Sequence, residues 1–166
     1  VTKDGILLAV SVKSTNELVT VDLTSNKIKQ RVFIGENPEF VRVQGYTAFV
    51  SFEPAALGGP PPKPGSKEAL ELKSKREEDN EEKARVAVVD LKKGEKIFEI
   101  EGGMETEGIE FSYDNKKIVV TNEADENLSV HDVESGKLIK KIDTKTYGNR
   151  PRGIKLSDRY LLFGNA

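Results

Sequence analysis

One pattern recurs three times along this chain and limits the folds that it can adopt. Each copy is a short apolar strand that ends in Asp plus an aliphatic residue and continues through a polar turn into a second strand. The three copies begin with Leu18–Leu23, Val86–Leu91 and Leu128–Val133. A strand, a polar turn and another strand are the signature of a β-hairpin. We expect Asp22, Asp90 and Asp132 to cap the turns by accepting backbone N–H bonds.

A second pair of strands precedes each hairpin. Such pairs are predicted over residues 39–52, 108–121 and 153–163, and residues 6–12 continue from the end of a similar turn. The complete unit is therefore four short strands. Asp90 and Asp132 are 42 residues apart, whereas Asp22 and Asp90 are 68 apart because about 26 additional residues intervene. Four strands at a period of about 40–45 residues are typical of β-propeller blades.

The sequence therefore predicts an all-β fold, a β-propeller with four antiparallel strands in each blade. A β-sandwich also has short strands and turns, but it does not require the same hairpin at a fixed interval. Residues 1–166 contain a first blade without its innermost strand, two complete blades and two strands of another. Because a closed propeller needs at least ~4 blades, we expect about three to four blades of a longer propeller. An assembly completed by further copies of the chain is the alternative.

Residues 54–84 form an insert between the second and third strands of one blade, where the next blade has only the short Glu123–Asn127 connection. The insert is Pro-rich at first and then almost entirely charged, with a helix predicted over Glu68–Arg76. Three interpretations remain open: a mobile solvated loop, a docking arm for a partner, and a Ca²⁺ site. The candidate calcium ligands are Glu77, Glu78, Asp79, Glu81 and Glu82.

The amino-acid composition excludes several kinds of site. The chain has no cysteine and one histidine, so it contains no zinc–thiolate site, iron–sulfur cluster or thiol nucleophile. A net charge of −2 offers no general attraction to nucleic acid, and no apolar run approaches the ~18 residues that span a bilayer. We expect His131 to be a satisfied strand histidine rather than a haem ligand. We therefore expect no catalytic residue, no metal and no cofactor in this segment.

The loops that lead into the innermost strands form one mouth of a propeller's central channel. Aligning the repeats places Glu39, Glu107 and Arg152 at one position, and Arg150 lies two residues before Arg152. The same loops also contain Asn37, Glu105, Tyr147 and Asn149. Two guanidinium groups on one side of a strand can clamp an anion, so Glu39, Glu107, Arg150 and Arg152 are the candidate ligand-binding residues. The alternative is that Glu39 and Glu107 neutralise the arginines.

Several segments resemble the YVTN-type β-propeller repeat family of bacteria and archaea. They are residues 106–112, 118–122, 128–133, 135–137 and 150–154. Val119–Asn122 corresponds to the Tyr-Val-Thr-Asn signature, with valine in place of tyrosine. The family includes surface-layer proteins and propellers related to the haem-binding domain of cytochrome-type nitrite reductases, and lactonase-like propellers look similar. The resemblance implies an exported, periplasmic or extracellular protein with seven blades.

Our interpretation of function is a non-catalytic binding or scaffold propeller of the bacterial or archaeal envelope. It would present its top-face loops and the charged insert to another protein, a larger complex or a small anionic ligand. The remaining blades of its own propeller are further expected partners, whereas nucleic acid and membrane insertion are not expected. The alternative is a portion of a propeller enzyme or redox-complex subunit, haem-associated or lactonase-like, whose cofactor ligands lie outside this segment.

Overall fold

The computed structural model describes residues 1–54, 63, 65–78, 83–157 and 160–165, whose regular structure is nearly all β-strand. The strands of this described part form four antiparallel sheets. Blade 1 consists of β1 (Leu7–Val12), β2 (Glu17–Asp22) and β3 (Lys27–Phe33). Blade 2 consists of β4 (Pro38–Gln44), β5 (Thr47–Phe52), β6 (Arg85–Asp90) and β7 (Glu95–Glu101). Blade 3 consists of β8 (Thr106–Phe111), β9 (Lys117–Asn122), β10 (Asn127–Asp132) and β11 (Leu138–Asp143), and blade 4 of β12 (Pro151–Leu156) and β13 (Leu161–Asn165).

These sheets form a partial β-propeller, as the sequence predicts. Within each sheet the hydrogen-bonded neighbours follow chain order, so each strand pairs with the next one along the chain. In the described residues the blades contain three, four, four and two strands. This is the predicted series of a blade without its innermost strand, two complete blades and two strands of another. A short 3₁₀ helix at Lys13–Thr15, which the sequence analysis does not predict, joins β1 to β2.

The recurring Asp residues cap the hairpin turns, which confirms the sequence prediction. Asp90 Oδ1 accepts the backbone N–H groups two and three residues ahead at 2.8 and 3.0 Å. Asp22 and Asp132 accept equivalent bonds in the other two blades. Hydrogen bonds, including one from the Ser135 hydroxyl to Asp132, lower the pKa of all three carboxyl groups because they favour the charged form. The role of these residues is structural.

The hydrophobic core lies between the blades, so the neighbouring blades cover both faces of a central strand. Along β6, Val86 and Val88 pack in the cluster shared with blade 3, whereas Ala87 and Val89 pack in the cluster shared with blade 1. All four side chains are buried. Because successive side chains point to opposite faces of a sheet, a strand buried on both faces is a continuous apolar run rather than an alternating one.

The insert leaves blade 2 after β5 and returns at β6, at the predicted point. Its helix α1 (Lys67–Glu78) includes the predicted range Glu68–Arg76. Ser66 Oγ accepts the backbone N–H of Ala69 at 3.2 Å and so caps the start of the helix.

Part of the candidate calcium site lies outside the described residues, which end at Glu78 and resume at Lys83. The described residues include no helix with both the length and the apolar character needed to cross a membrane.

Candidate functional site

Three mouth loops connect the outermost strand of one blade to the innermost strand of the next: residues 34–37, 102–105 and 144–150. The last residue of each has a left-handed backbone, with φ of 48° at Asn37, 55° at Glu105 and 55° at Arg150. Asn adopts this conformation readily, but it is uncommon for Glu and Arg. Strained residues that the surrounding structure holds in place cluster at functional sites. Glu126, in the β9–β10 connection, has the same conformation, with φ of 52°. The backbone therefore marks these loops and that connection as a candidate site.

Each innermost strand then contains a β-bulge at the same place. The pairing register shifts within residues 38–41 of β4, 106–108 of β8 and 151–154 of β12. These segments include Glu39, Glu107 and Arg152, which the repeat alignment places at one position. A bulge re-aims the side chains beside it, so the local geometry directs these three residues in the same way in each blade.

A single buried carboxylate holds both arginines of the site. Glu123 lies in the β9–β10 connection, and its side chain is only 1% exposed. Arg150 Nε donates to Glu123 Oε1 at 2.6 Å, and Arg152 Nε donates to Glu123 Oε2 at 2.5 Å. The Glu123 N–H donates to the Glu105 carbonyl at 2.8 Å. The structure therefore brings Arg150 and Arg152 together through a partner that the sequence analysis misses.

Two further carboxylates pair with the same arginines. Arg150 Nη2 lies 3.4 Å from Glu105 Oε2, and Arg152 Nη2 lies 2.9 Å from Glu107 Oε1. Glu107 thus neutralises Arg152, as the alternative interpretation expects. With Glu123, three carboxylates face two guanidinium groups, so these five described residues, which we call the charged cluster, have a formal charge of −1.

Glu39 does not join these ion pairs. It pairs instead with Lys13 of the 3₁₀ helix, so its expected role in neutralising the arginines is wrong. Its negative charge still acts on Glu107. Burial raises the pKa of Glu107, the hydrogen bond from Arg152 opposes this, and the charges of Glu39 and Glu123 add to the increase. The raised pKa of Glu107 therefore comes mainly from burial, with a smaller contribution from the two neighbouring carboxylates.

A second set of charges lies three positions further along each innermost strand. Arg42 in β4, Glu110 in β8 and Lys155 in β12 are equivalent in the repeat alignment. Glu110 Oε2 accepts a hydrogen bond from Arg42 Nη2 at 2.5 Å and lies 3.2 Å from Lys155 Nζ. Charges of alternating sign therefore join three successive blades. Extending the strand alignment by three residues is enough to find this set in the sequence.

Hydrogen bonds of Glu53, which directly precedes the insert, and of Ala84, its last residue, join the two ends of the insert to the mouth loops. At its start, the Glu53 N–H donates to the Glu36 carbonyl at 3.1 Å, and Glu53 Oε1 accepts the Glu105 N–H at 3.2 Å. At its end, the Ala84 N–H donates to the Gly103 carbonyl at 3.0 Å. The insert therefore leaves and rejoins the fold on the face that carries the charged cluster, which we call the top face.

Repetition also provides the signal by which Glu123 can be found. Glu53 and Glu123 both follow directly after the second strand of a blade. Both belong to the mouth: Glu53 through the N–H of Glu105, and Glu123 through the two arginines. The connections that follow β5 and β9 differ in length and sequence, yet both have Glu at this position. This recurrence indicates a shared role for the two residues.

The structure also describes three other residues that the sequence suggests. Tyr147 and Asn149 are exposed in the third mouth loop. His131 is only 2% exposed, and its Nδ1 lies 3.2 Å from the Gly136 carbonyl. Its Nε2 has no hydrogen-bond partner among the described residues. The expectation of a satisfied histidine is therefore wrong for one ring nitrogen.

Comparisons with known proteins support the fold. No protein-family model matches the chain, and no curated protein does. Among solved structures, the chain is similar to Kuenenia stuttgartiensis hydrazine synthase, with a TM-score of 0.70 and 23% sequence identity. The alignment covers 95% of this chain and 37% of that chain, so this chain spans little more than a third of its length. At this identity the likeness shows the fold alone.

Proposed function

We propose that this chain is part of a non-catalytic binding or scaffold β-propeller of the YVTN type, whose top face receives another protein. One observation carries the proposal: Glu53, directly before the insert, and Ala84, its last residue, are both hydrogen bonded to the mouth loop 102–105, which contains Glu105 of the charged cluster. The two ends of the insert therefore lie on the surface that carries the cluster. Loops positioned by a rigid scaffold are where binding residues concentrate, and the strained backbone at Glu105 and Arg150 lies in the same surface.

The charges of the cluster favour a protein partner over a small anion. Both guanidinium groups already donate to carboxylates, and the carboxylates outnumber them. A small anion would have to displace Glu107 from Arg152, and the cluster has no net positive charge that attracts it. A protein surface that carries both signs of charge can form new ion pairs with Arg152 and Glu107 in place of the one between them. These two side chains are accessible to a partner because that of Arg152 is half exposed. Such rim charges govern the specificity and rate of association.

Affinity capture with the full chain tests this proposal. We expect partners recovered by the wild type to be lost when residues 55–82 are replaced by a short Gly-Ser linker, and also when both arginines are removed in Arg150→Ala/Arg152→Ala. Because the second variant leaves Glu123 buried without a cation, the triple variant with Glu123→Gln is measured beside it. Lys140→Ala/Lys141→Ala removes the same charge from the exposed strand β11 and serves as the control. The same set of partners in all variants refutes the proposal.

The small-anion interpretation is tested on the same variants. Isothermal titration with inorganic phosphate and with citrate measures direct binding. Saturable binding to the wild type that disappears in the arginine double variant makes the mouth an anion site. If neither anion produces binding heat at millimolar concentration, the small-anion interpretation is refuted and a protein remains the proposed partner of the top face.

We also propose that the protein is exported to the periplasm or the cell exterior, on the resemblance to the YVTN-type family. Fractionation of native cells followed by immunoblotting tests this. Recovery in the cytoplasmic fraction alone overturns it.

The resemblance to the YVTN-type family also supports a second candidate, a portion of a propeller enzyme or redox-complex subunit whose cofactor ligands lie outside this segment. The intact mass and the absorbance spectrum of the native protein distinguish the two. A Soret band supports the redox candidate, and a spectrum without cofactor absorbance supports the non-catalytic scaffold.

A further inference from the structure

His131 occupies an apolar position at the junction of blades 2 and 3. It lies directly before the capping Asp of β10, where β6 has Val89. Its cross-strand partner in β9 is Ile118, a buried member of the hydrophobic cluster that blades 2 and 3 share. Directly paired residues lie on the same face of a sheet. The imidazole of His131 therefore faces the core between blades 2 and 3. At the equivalent position of the preceding blade, Val89 faces the core between blades 1 and 2.

The hydrogen bonds of His131 determine its protonation state. Nδ1 lies 3.2 Å from the Gly136 carbonyl, which can only accept, so Nδ1 carries the proton of the neutral ring. Nε2 then carries a lone pair, and it is buried without a partner among the described residues. A proton added to Nε2 produces a buried cation whose second N–H has no acceptor there. Such a group strongly destabilises a closed core.

The charges around the ring do not offset this effect. Glu101 on β7 and Lys141 on β11 act on His131 with opposite signs, and both side chains are exposed. Burial lowers the pKa of His131 below its usual range, while the hydrogen bond to Gly136 raises it, Lys141 lowers it and Glu101 raises it. The loss of solvation is the largest of these effects.

The turn that accepts the His131 bond also forms a contact between the blades. A Cβ added to Gly136 meets the Phe98 ring at 3.0 Å and Ile100 Cγ1 at 3.2 Å, so this turn packs closely on β7. We propose that His131 makes the junction between blades 2 and 3 acid-sensitive. Uptake of a solvent proton at Nε2 requires the ring to reach water, and the hairpin β10–β11 then separates from β7. The device is independent of any ligand at the mouth.

Because His131 is the only histidine of the chain, nuclear magnetic resonance tests this directly on the full chain. The ring Cε1–H signal is followed from pH 8 to pH 4.5, together with amide exchange in β10 and β11. Since the folded pKa is lowered, the stabilisation is complete above the unfolded pKa of about 6.5 and is lost as the pH falls below it. We expect the protection factors of β10 and β11 to fall about tenfold for each pH unit in this range.

Two variants supply the controls. His131→Val introduces the residue of the equivalent β6 position, and its protection factors should not change between pH 7 and pH 5. Glu107→Gln, at the mouth, removes a carboxyl with a raised pKa and should leave the acid response intact. A titration midpoint at or above 6.5 in the wild type overturns the proposal even if His131→Val does not fold. An unchanged acid response in His131→Val also overturns it.

Discussion

Removing both arginines of the mouth should destabilise the fold far more than their exposure suggests. In Arg150→Ala/Arg152→Ala, the carboxylate of Glu123, which is 1% exposed in the wild type, loses donors at 2.6 and 2.5 Å. Leaving a buried charge without its partners costs about 3–5 kcal/mol. A domain of this kind has about 5–15 kcal/mol of stability in total, so the loss is a large fraction of it.

The neutral background separates this effect from the loss of packing. In Glu123→Gln the carboxylate is absent, so the same arginine substitutions leave no buried charge and should cost only about 1–2 kcal/mol. Urea unfolding of the four proteins, followed by far-ultraviolet circular dichroism, gives the coupling between the arginine pair and Glu123. With a slope of about 1–3 kcal/mol/M, the midpoint of the double variant should fall by roughly 2 M. A loss below about 1 kcal/mol, typical of exposed ion pairs, refutes the role of Glu123 as a buried anchor.

Three further predictions concern the blades. Gly108→Ala places a Cβ 2.5 Å from the carbonyl oxygen of Arg152 and should lower the free energy of unfolding, measured by thermal unfolding, by about 1–3 kcal/mol. Gly153 is at the equivalent position, and a Cβ there meets nothing within 4 Å, so Gly153→Ala should stay within about 0.5 kcal/mol of the wild type. Asp90 has a lowered pKa because of the turn N–H groups, so its contribution is present above about pH 4 and is lost below it; Asp90→Asn should flatten the acid-unfolding curve in that range. Glu110→Gln should cost about 1–3 kcal/mol in urea unfolding because it removes the charge that two cations share; an unchanged midpoint contradicts this.

The blades could be predicted from the sequence because their determinants are local. The Asp caps bond to N–H groups two and three residues away, and each strand is visible as a short apolar or alternating run. The ion pairs of the mouth are less accessible from the sequence. Arg150 lies before β12 and has a left-handed backbone, so strand alternation does not relate it to Arg152. Repeat alignment relates Glu107 to Arg152, but Glu123 is 27 residues before Arg150. No local pattern indicates that these two side chains meet.

The sequence by itself determined the repeating unit, the order of the strands, the capped turns and the site of the insert, because each depends on neighbours along the chain. Only the tertiary structure decided which charges pair, since the partners come from different blades. Glu39 and Glu107 are equivalent in the repeat, yet one binds Lys13 and the other Arg152. Which charges pair depends on where each blade lies against the next. That arrangement arises from packing between neighbouring sheets, and the sequence of a single repeat does not contain it.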